Sequence, residues 1–200
     1  MVSDQNEKPT LWFVRHGEST WNASGFVQGQ ASGPKLTVKG RHEAAGVAAQ
    51  LRQVRAGAIY TSDLRRARET AAVIGDALGL PLQIDASLRE RHFGVAQGSP
   101  LSQLDPAHSG FERGQVVDAD VRPPEGESLR ELYQRVSAFI DHMAMDEQEN
   151  DVVVVTHGGV IRVAQAYGSG LAVEDMAWGP VPNASVWGLG RIRSAVAVVQ

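Results

Sequence analysis

The sequence predicts an α/β fold, a three-layer sandwich whose mostly parallel central sheet, mixed at one edge, carries helices on both faces. Three observations point there. Leu11-Trp12-Phe13-Val14-Arg15-His16-Gly17 and Val152-Val153-Val154-Val155-Thr156-His157-Gly158-Gly159 are short apolar runs that stop at glycine, which suits buried strands of a parallel sheet. Strand-like and helix-like segments alternate along the chain, the pattern of a sheet covered on both faces. The last two strand-like segments, 185–189 and 195–199, are close enough in sequence to pair as a hairpin, which makes one edge antiparallel.

The elements follow in order. Residues 1–9 are polar and read as a loose tail. After the first strand, Gly17, Gly25, Gly29, Gly33 and Pro34 mark residues 17–36 as a long loop of the kind usually retained for function. Thr37 is placed to cap a helix to about Arg55, with Ala45, Val47, Ala48, Leu51 and Val54 as its apolar stripe. A strand at 57–61 leads into a helix capped by Ser62 or Asp63 and running to Leu78, where Gly79 and Pro81 stop it. Residues 81–84 form another strand, 88–94 a loop, and 95–127 an irregular stretch rich in Gly, Pro, Ser and Asp that reads as an inserted lid. Ser128 opens a helix to about Met145 with Leu129, Leu132, Tyr133, Val136, Phe139, Ile140 and Met143 on one face. The second histidine strand and a helix over 160–167 complete a single domain spanning 1–200.

Composition narrows the chemistry. There is no cysteine, which removes disulfides, iron–sulfur clusters, thiolate zinc sites and every cysteine nucleophile. Net charge is −4, against the broad basic footprint of a nucleic-acid binder, so an anionic ligand must be caught by a local cluster. No apolar stretch reaches bilayer length and the N-terminus has no apolar signal core, so neither a membrane nor export is expected and a cytoplasmic location is. His42, His92, His108 and His142 show no paired-ligand spacing, and no metal site is expected.

Four segments carry chemistry. Arg15-His16-Gly17-Glu18 sets a guanidinium, which binds phosphate bidentately, beside an imidazole that can accept a phosphoryl group, with a glycine that lets backbone approach a ligand. Ser62-Asp63-Leu64-Arg65-Arg66-Ala67 puts two arginines in the first turn of a helix, where the helix dipole already supplies positive charge. A bound anion resolves that conflict, and the pattern does not say which arginine faces it. Glu90, in Leu88-Arg89-Glu90-Arg91-His92, is a loop carboxyl able to donate a proton to a departing alkoxide; taken without the other motifs it reads as an exposed glutamate paired to Arg89 or Arg91. His157, before two glycines and a helix, fits a second phosphate ligand. In open α/β sheets the reactive crevice lies beyond the strands' carboxyl ends, so both imidazoles are expected at one rim.

Arg15-His16-Gly17-Glu18-Ser19-Thr20-Trp21-Asn22, Ser62 to Ala71, Leu88-Arg89-Glu90 with Phe93-Gly94, and Thr156-His157-Gly158-Gly159 together resemble the histidine phosphatase superfamily. The nearest branch is that of cofactor-dependent phosphoglycerate mutases and small phosphomonoesterases. Pro124-Glu125-Gly126-Glu127-Ser128 and Pro182-Asn183-Ala184-Ser185 also fit, so the resemblance covers nearly the whole chain and implies a phosphoglycerate-mutase-like fold. It implies that His16 is the nucleophile, that Arg15, Arg66 (rather than Arg65) and His157 hold phosphate, that Glu90 is the proton donor, and that Gly17, Asn22, Gln28, Gly29 and Gly158 line the pocket without a cofactor or metal. The chain departs from the pattern where Gln28-Gly29-Gln30 runs into Ala31-Ser32-Gly33-Pro34-Lys35, one residue longer and without the aspartate many members carry.

Within that resemblance, Glu90-Arg91-His92-Phe93-Gly94 and Gln97-Gly98 are similar to the mutase form. Mutases place a lysine after the Gln-Gly pair and paired arginines in the insert. Here Ser99-Pro100-Leu101 follows, with only Arg113 and Arg122 against Asp105, Glu112, Asp118, Asp120, Glu125 and Glu127. The sequence also stops at Gln200, just past the last strand. The expectation is a phosphatase acting on a small phosphorylated metabolite whose non-phosphate part is neutral or weakly polar. Mutase-type phosphoryl transfer and a non-catalytic phospho-ligand binder are the alternatives. Trp178 is a candidate for either core or a homodimer interface.

Overall fold

The computed structural model describes residues 9–105, 109–145 and 149–190. Among the described residues, five strands form the central sheet: β1 (Thr10–Arg15), β2 (Ala56–Thr61), β3 (Leu82–Ile84), β6 (Asp151–Thr156) and β7 (Val186–Gly190), in the order β3-β2-β6-β1-β7. β1, β2, β3 and β6 run parallel, and β7 pairs antiparallel with β1 at the edge. The mixed edge therefore comes from β7 beside β1; the partner strand expected at 195–199 and the tail at 1–8 lie outside the described residues.

The strand period sorts the core into two layers. Phe13, Val152 and Val154 pack under α4 (Leu129–Met145) and α5 (Gly158–Gly168). Val14, Val153 and Val155 pack under α2 (Val38–Leu51) and α3 (Arg65–Leu78). Val152 to Val155 are all buried because β6 is central and covered on both faces, each valine adding roughly 1.5–3 kcal/mol of apolar burial. β1 and β6 are adjacent, yet the helices that follow them, α2 and α5, lie on opposite faces. That divergence opens a crevice at the strands' carboxyl ends.

Local boundaries depart from expectation for identifiable reasons. Residues 17–36 are not all loop: Ser19 caps a short α1 (Thr20–Ser24) through a reciprocal bond pair with Asn22. Thr37 caps α2 as expected, its Oγ1 accepting from the Gly40 amide at 2.9 Å, but the helix stops at Leu51. The cap of α3 is Leu64, which has no side-chain acceptor, while Ser62 Oγ accepts from the Leu64 amide. Ser128 and Glu131 form a capping box that starts α4. Among its described residues, the stretch 95–127 holds short 3-10 turns at Gly94–Ala96 and Leu101–Gln103 and a hairpin of β4 (Phe111–Glu112) with β5 (Gln115–Val116). No helix among the described residues is long and apolar enough to cross a membrane.

Candidate active site

The register of β1 on β6 pairs Arg15 with Thr156, so His16 and His157 leave neighbouring strand ends side by side. Their rings meet edge to face with centroids 5.2 Å apart, and both are buried. The loop after β1 is pressed against the start of α2. A Cβ on Gly17 would collide with the Gly40 carbonyl, and one on Gly40 with the Glu18 carbonyl, so both positions require glycine. Glu18 is held by Thr37 Oγ1 at 2.9 Å and Lys39 Nζ at 2.8 Å, and Thr70 Oγ1 accepts from the Gly17 amide at 3.1 Å.

The tautomer of His16 follows from its partners. Nδ1 sits 2.7 Å from the Gly17 carbonyl, which can only accept, so Nδ1 carries the proton. Nε2 is left with a lone pair, which accepts from Arg66 Nε at 3.2 Å. Burial, reinforced by the charges of Arg66 and Arg15, holds His16 well below the ordinary imidazole pKa. It is a neutral imidazole with its nucleophilic nitrogen turned into a cationic pocket.

Arg66 is 1% exposed. Its Nη2 donates to Gly29 O at 2.7 Å and Nη1 to Ala31 O at 3.2 Å. Burial pushes its pKa down to about 10, against the raising effect of Glu90, with Arg15 adding to the decrease; it remains cationic at neutral pH. Arg65 instead faces outward and pairs with Glu69 at 2.7 Å. Arg15 donates through Nη1 to Val181 O, while its buried Nε and both nitrogens of His157 find no partner among the described residues. Such groups are costly to bury unpaired. Together with the uncapped start of α3 they describe a site for a compact oxyanion.

Glu90 is free of both flanking arginines. Arg89 turns away to Asp63, with its Nε at 2.7 Å. Arg91 is buried and donates to the carbonyls of Glu127 at 2.8 Å, Val121 at 3.1 Å and Ser109, which ties the insert to the domain. The Glu90 carboxylate accepts from the Arg91 amide at 2.8 Å and the Gly159 amide at 3.1 Å. A Cβ on Gly159 would strike Glu90 Oε1, so the second glycine after His157 makes room for this carboxylate. The Glu90 carbonyl is pinned by Gln30 Nε2 at 3.0 Å and Arg135 Nη2 at 3.1 Å.

The remaining sequence-predicted residues support the pocket. Asn22 Oδ1 accepts from Ser19 and from Asn183 Nδ2 at 3.2 Å, and Asn183 also holds the His16 carbonyl at 3.1 Å. Gln28 Oε1 accepts from Ser19 Oγ at 2.7 Å, and Gly29 lends its carbonyl to Arg66. Gly158 opens α5. Sequence reasoning missed Arg162, one helical turn beyond Gly158 on the same face; that i,i+4 spacing was the available signal. Arg162 Nη1 lies 3.1 Å, and Arg15 Nε 3.8 Å, from where a Gly158 Cβ would stand. Trp178, a candidate interface residue, is engaged within the chain: it stacks on Phe111 at 4.7 Å and carries the Arg162 guanidinium 4.5 Å from its ring centroid. Among the described residues no group of three His, Asp or Glu side chains is placed to hold a metal ion; His108 lies outside them.

A family model described as histidine phosphatase superfamily (branch 1) matches residues 11–199. The probable phosphoglycerate mutase GpmB of Serratia proteamaculans (strain 568) is 38% identical over 150 residues, covering 74% of this chain and 69% of that protein. The native structure of a mycobacterial glucosyl-3-phosphoglycerate phosphatase has a TM-score of 0.77 at 31% identity, covering 90% of this chain and 89% of that one. A structure of the same phosphatase with VO3 also has a TM-score of 0.77, at 32% identity, covering 90% and 92%.

Proposed function

This chain belongs to the histidine phosphatase superfamily, and on that premise we propose that it hydrolyses a small phosphomonoester through a phosphohistidine on His16. The observation that carries the reading is the neutral His16, its Nε2 lone pair held 3.2 Å from Arg66 Nε. In the first step the Nε2 lone pair attacks phosphorus, the ester P–O bond breaks, and the Glu90 carboxyl gives its proton to the departing alkoxide. Arg15, Arg66 and His157 hold the equatorial oxygens as charge spreads over them. In the second step water attacks phosphorus, the Glu90 carboxylate takes its proton, and the N–P bond breaks to return His16 and release inorganic phosphate. The cycle balances with side chains and water alone.

Hydrolysis is favoured over mutase transfer by where the insert's cations go. Arg122 pairs with Glu131 at 2.6 Å and Arg113 with Glu112 at 3.6 Å, both at the surface. Neither serves to retain a doubly anionic intermediate while it turns around, the task a mutase must perform away from water. The mutase alternative draws support from the 38% identity to a probable phosphoglycerate mutase. Vanadate is a fitting probe because a structural relative carries VO3. The deciding assay runs a phosphomonoester panel by phosphate release beside 3-phosphoglycerate interconversion. Phosphate release inhibited by vanadate supports hydrolysis, and interconversion outpacing release overturns it. A non-catalytic phospho-ligand binder would show neither. The substrate is a small phosphorylated metabolite rather than a nucleic acid or membrane lipid, and we place the reaction in the cytoplasm.

A further inference from the structure

We infer that Arg162 is a specificity residue that binds a carboxylate on the alcohol part of the substrate. The inference rests on the phosphatase reading for what the site turns over. Arg162 is held as a ligand-binding arginine is held. Its Nε donates to Gly179 O at 2.6 Å, and its guanidinium lies over the Trp178 ring, which Phe111 of the insert backs from stacking distance. The Trp178 amide is fixed in turn by Gly114 O at 2.7 Å. With Nε and one face so occupied, Nη1 and Nη2 are left without a hydrogen-bond partner among the described residues, and the side chain is only partly buried. This fork approaches the pocket at Gly158, where Nη1 and Arg15 Nε both lie within 4 Å of one point.

The Glu90 carboxylate already lies between these two cations, raising the pKa of each against its burial, so the Arg162 fork stands on the Glu90 side of the pocket. The transferred phosphoryl already has Arg15, Arg66 and His157. Glu90, bonded to the next amide along α5, marks the side on which the ester oxygen leaves, because an in-line displacement expels that oxygen opposite His16. A guanidinium beside Glu90 therefore meets what the ester oxygen is attached to, and a planar fork matches a carboxylate bidentately. The neutral alcohol expected from the insert's acidic composition took no account of Arg162, which lies on α5.

The test measures binding in full-length His16→Ala, so turnover does not enter. Calorimetry compares 3-phosphoglycerate with glycerol 3-phosphate, which share the phosphoester and differ in the carboxylate. The expected preference for 3-phosphoglycerate is about tenfold or more. It collapses toward unity when Arg162→Gln is added and returns in part with Arg162→Lys, which keeps the charge and loses the fork. Equal affinities before Arg162 is changed, or a preference that survives Arg162→Gln, overturn the inference. So does an equal loss of both ligands in both Arg162 variants, which marks a phosphoryl-holding or structural residue. Wild-type protein that prefers the carboxylate but hydrolyses nothing defeats only the phosphatase reading, whereas turnover with equal affinities defeats only this one.

Discussion

Arg66 donates from Nε to Nε2 of His16 at 3.2 Å while its two terminal nitrogens grip Gly29 O and Ala31 O. One guanidinium thus orients the His16 ring, sets positive charge beside its lone pair and fixes the loop that follows α1. Arg66→Lys keeps the charge but cannot make three such contacts. A fall in kcat/KM of about 10²- to 10³-fold is expected. Arg65→Lys, altering only an exposed pair with Glu69, should stay within about twofold. Steady-state kinetics on the two variants checks this, and equal effects would remove the distinction between neighbouring arginines.

The role proposed for Glu90 is on the leaving oxygen rather than on phosphorus, and leaving-group chemistry separates those roles. Glu90→Gln should lower kcat by about 10²- to 10⁴-fold on alkyl phosphates. On p-nitrophenyl phosphate, whose leaving group needs no proton, the first step should be nearly spared, seen as a burst of nitrophenol. The absence of any burst difference between the two ester types would show Glu90 acting elsewhere.

Gly159→Ala tests the same carboxylate without touching it. The added methyl would strike Glu90 Oε1, so Glu90 must move. The expected result is loss of kcat on alkyl esters, with vanadate affinity reduced much less. A crystal structure of the variant with Glu90 unmoved would contradict the assignment.

Both site histidines are buried neutral, with burial the largest cause and arginine charge the next. The unfolded chain takes up protons on these side chains as pH falls through about 6.5, while the folded protein does not. Stability is therefore full above that pH and declines below it, by up to about 1.4 kcal/mol per pH unit for each histidine, until the depressed folded pKa is reached. Urea unfolding in phosphate-free buffer between pH 7.5 and 5 measures the slope, and His157→Gln should reduce it. A slope unaltered by that substitution would show that His157 protonates freely in the folded state.

Much of the site was legible in the sequence because parallel strands deliver their ends to one rim. Two apolar runs ending in His-Gly therefore sufficed to bring His16 and His157 together. What stayed hidden depended on tertiary partners. That Glu90 is unpaired with Arg89 and Arg91 follows from Asp63 and from three carbonyls of a stretch far along the chain. Helix α1 is five residues long and β4 and β5 two each, too short for any period to show. Arg162 lies on a helix face, where an arginine ordinarily means solvent, and only its fourfold spacing from Gly158 set it apart. Leu64 stands at the N-cap of α3, with Asp63 paired to Arg89 and Ser62 Oγ accepting from the Leu64 amide instead of from a helix donor.

The most direct measurement is chemical trapping of the intermediate. Rapid acid-free quench of full-length protein with a ³²P-labelled phosphomonoester should leave label that is stable to alkali and lost in acid, map to the peptide carrying His16, and vanish in His16→Ala. Turnover with no acid-labile label, or label that persists in His16→Ala, would contradict a phosphohistidine at the junction of β1 and β6.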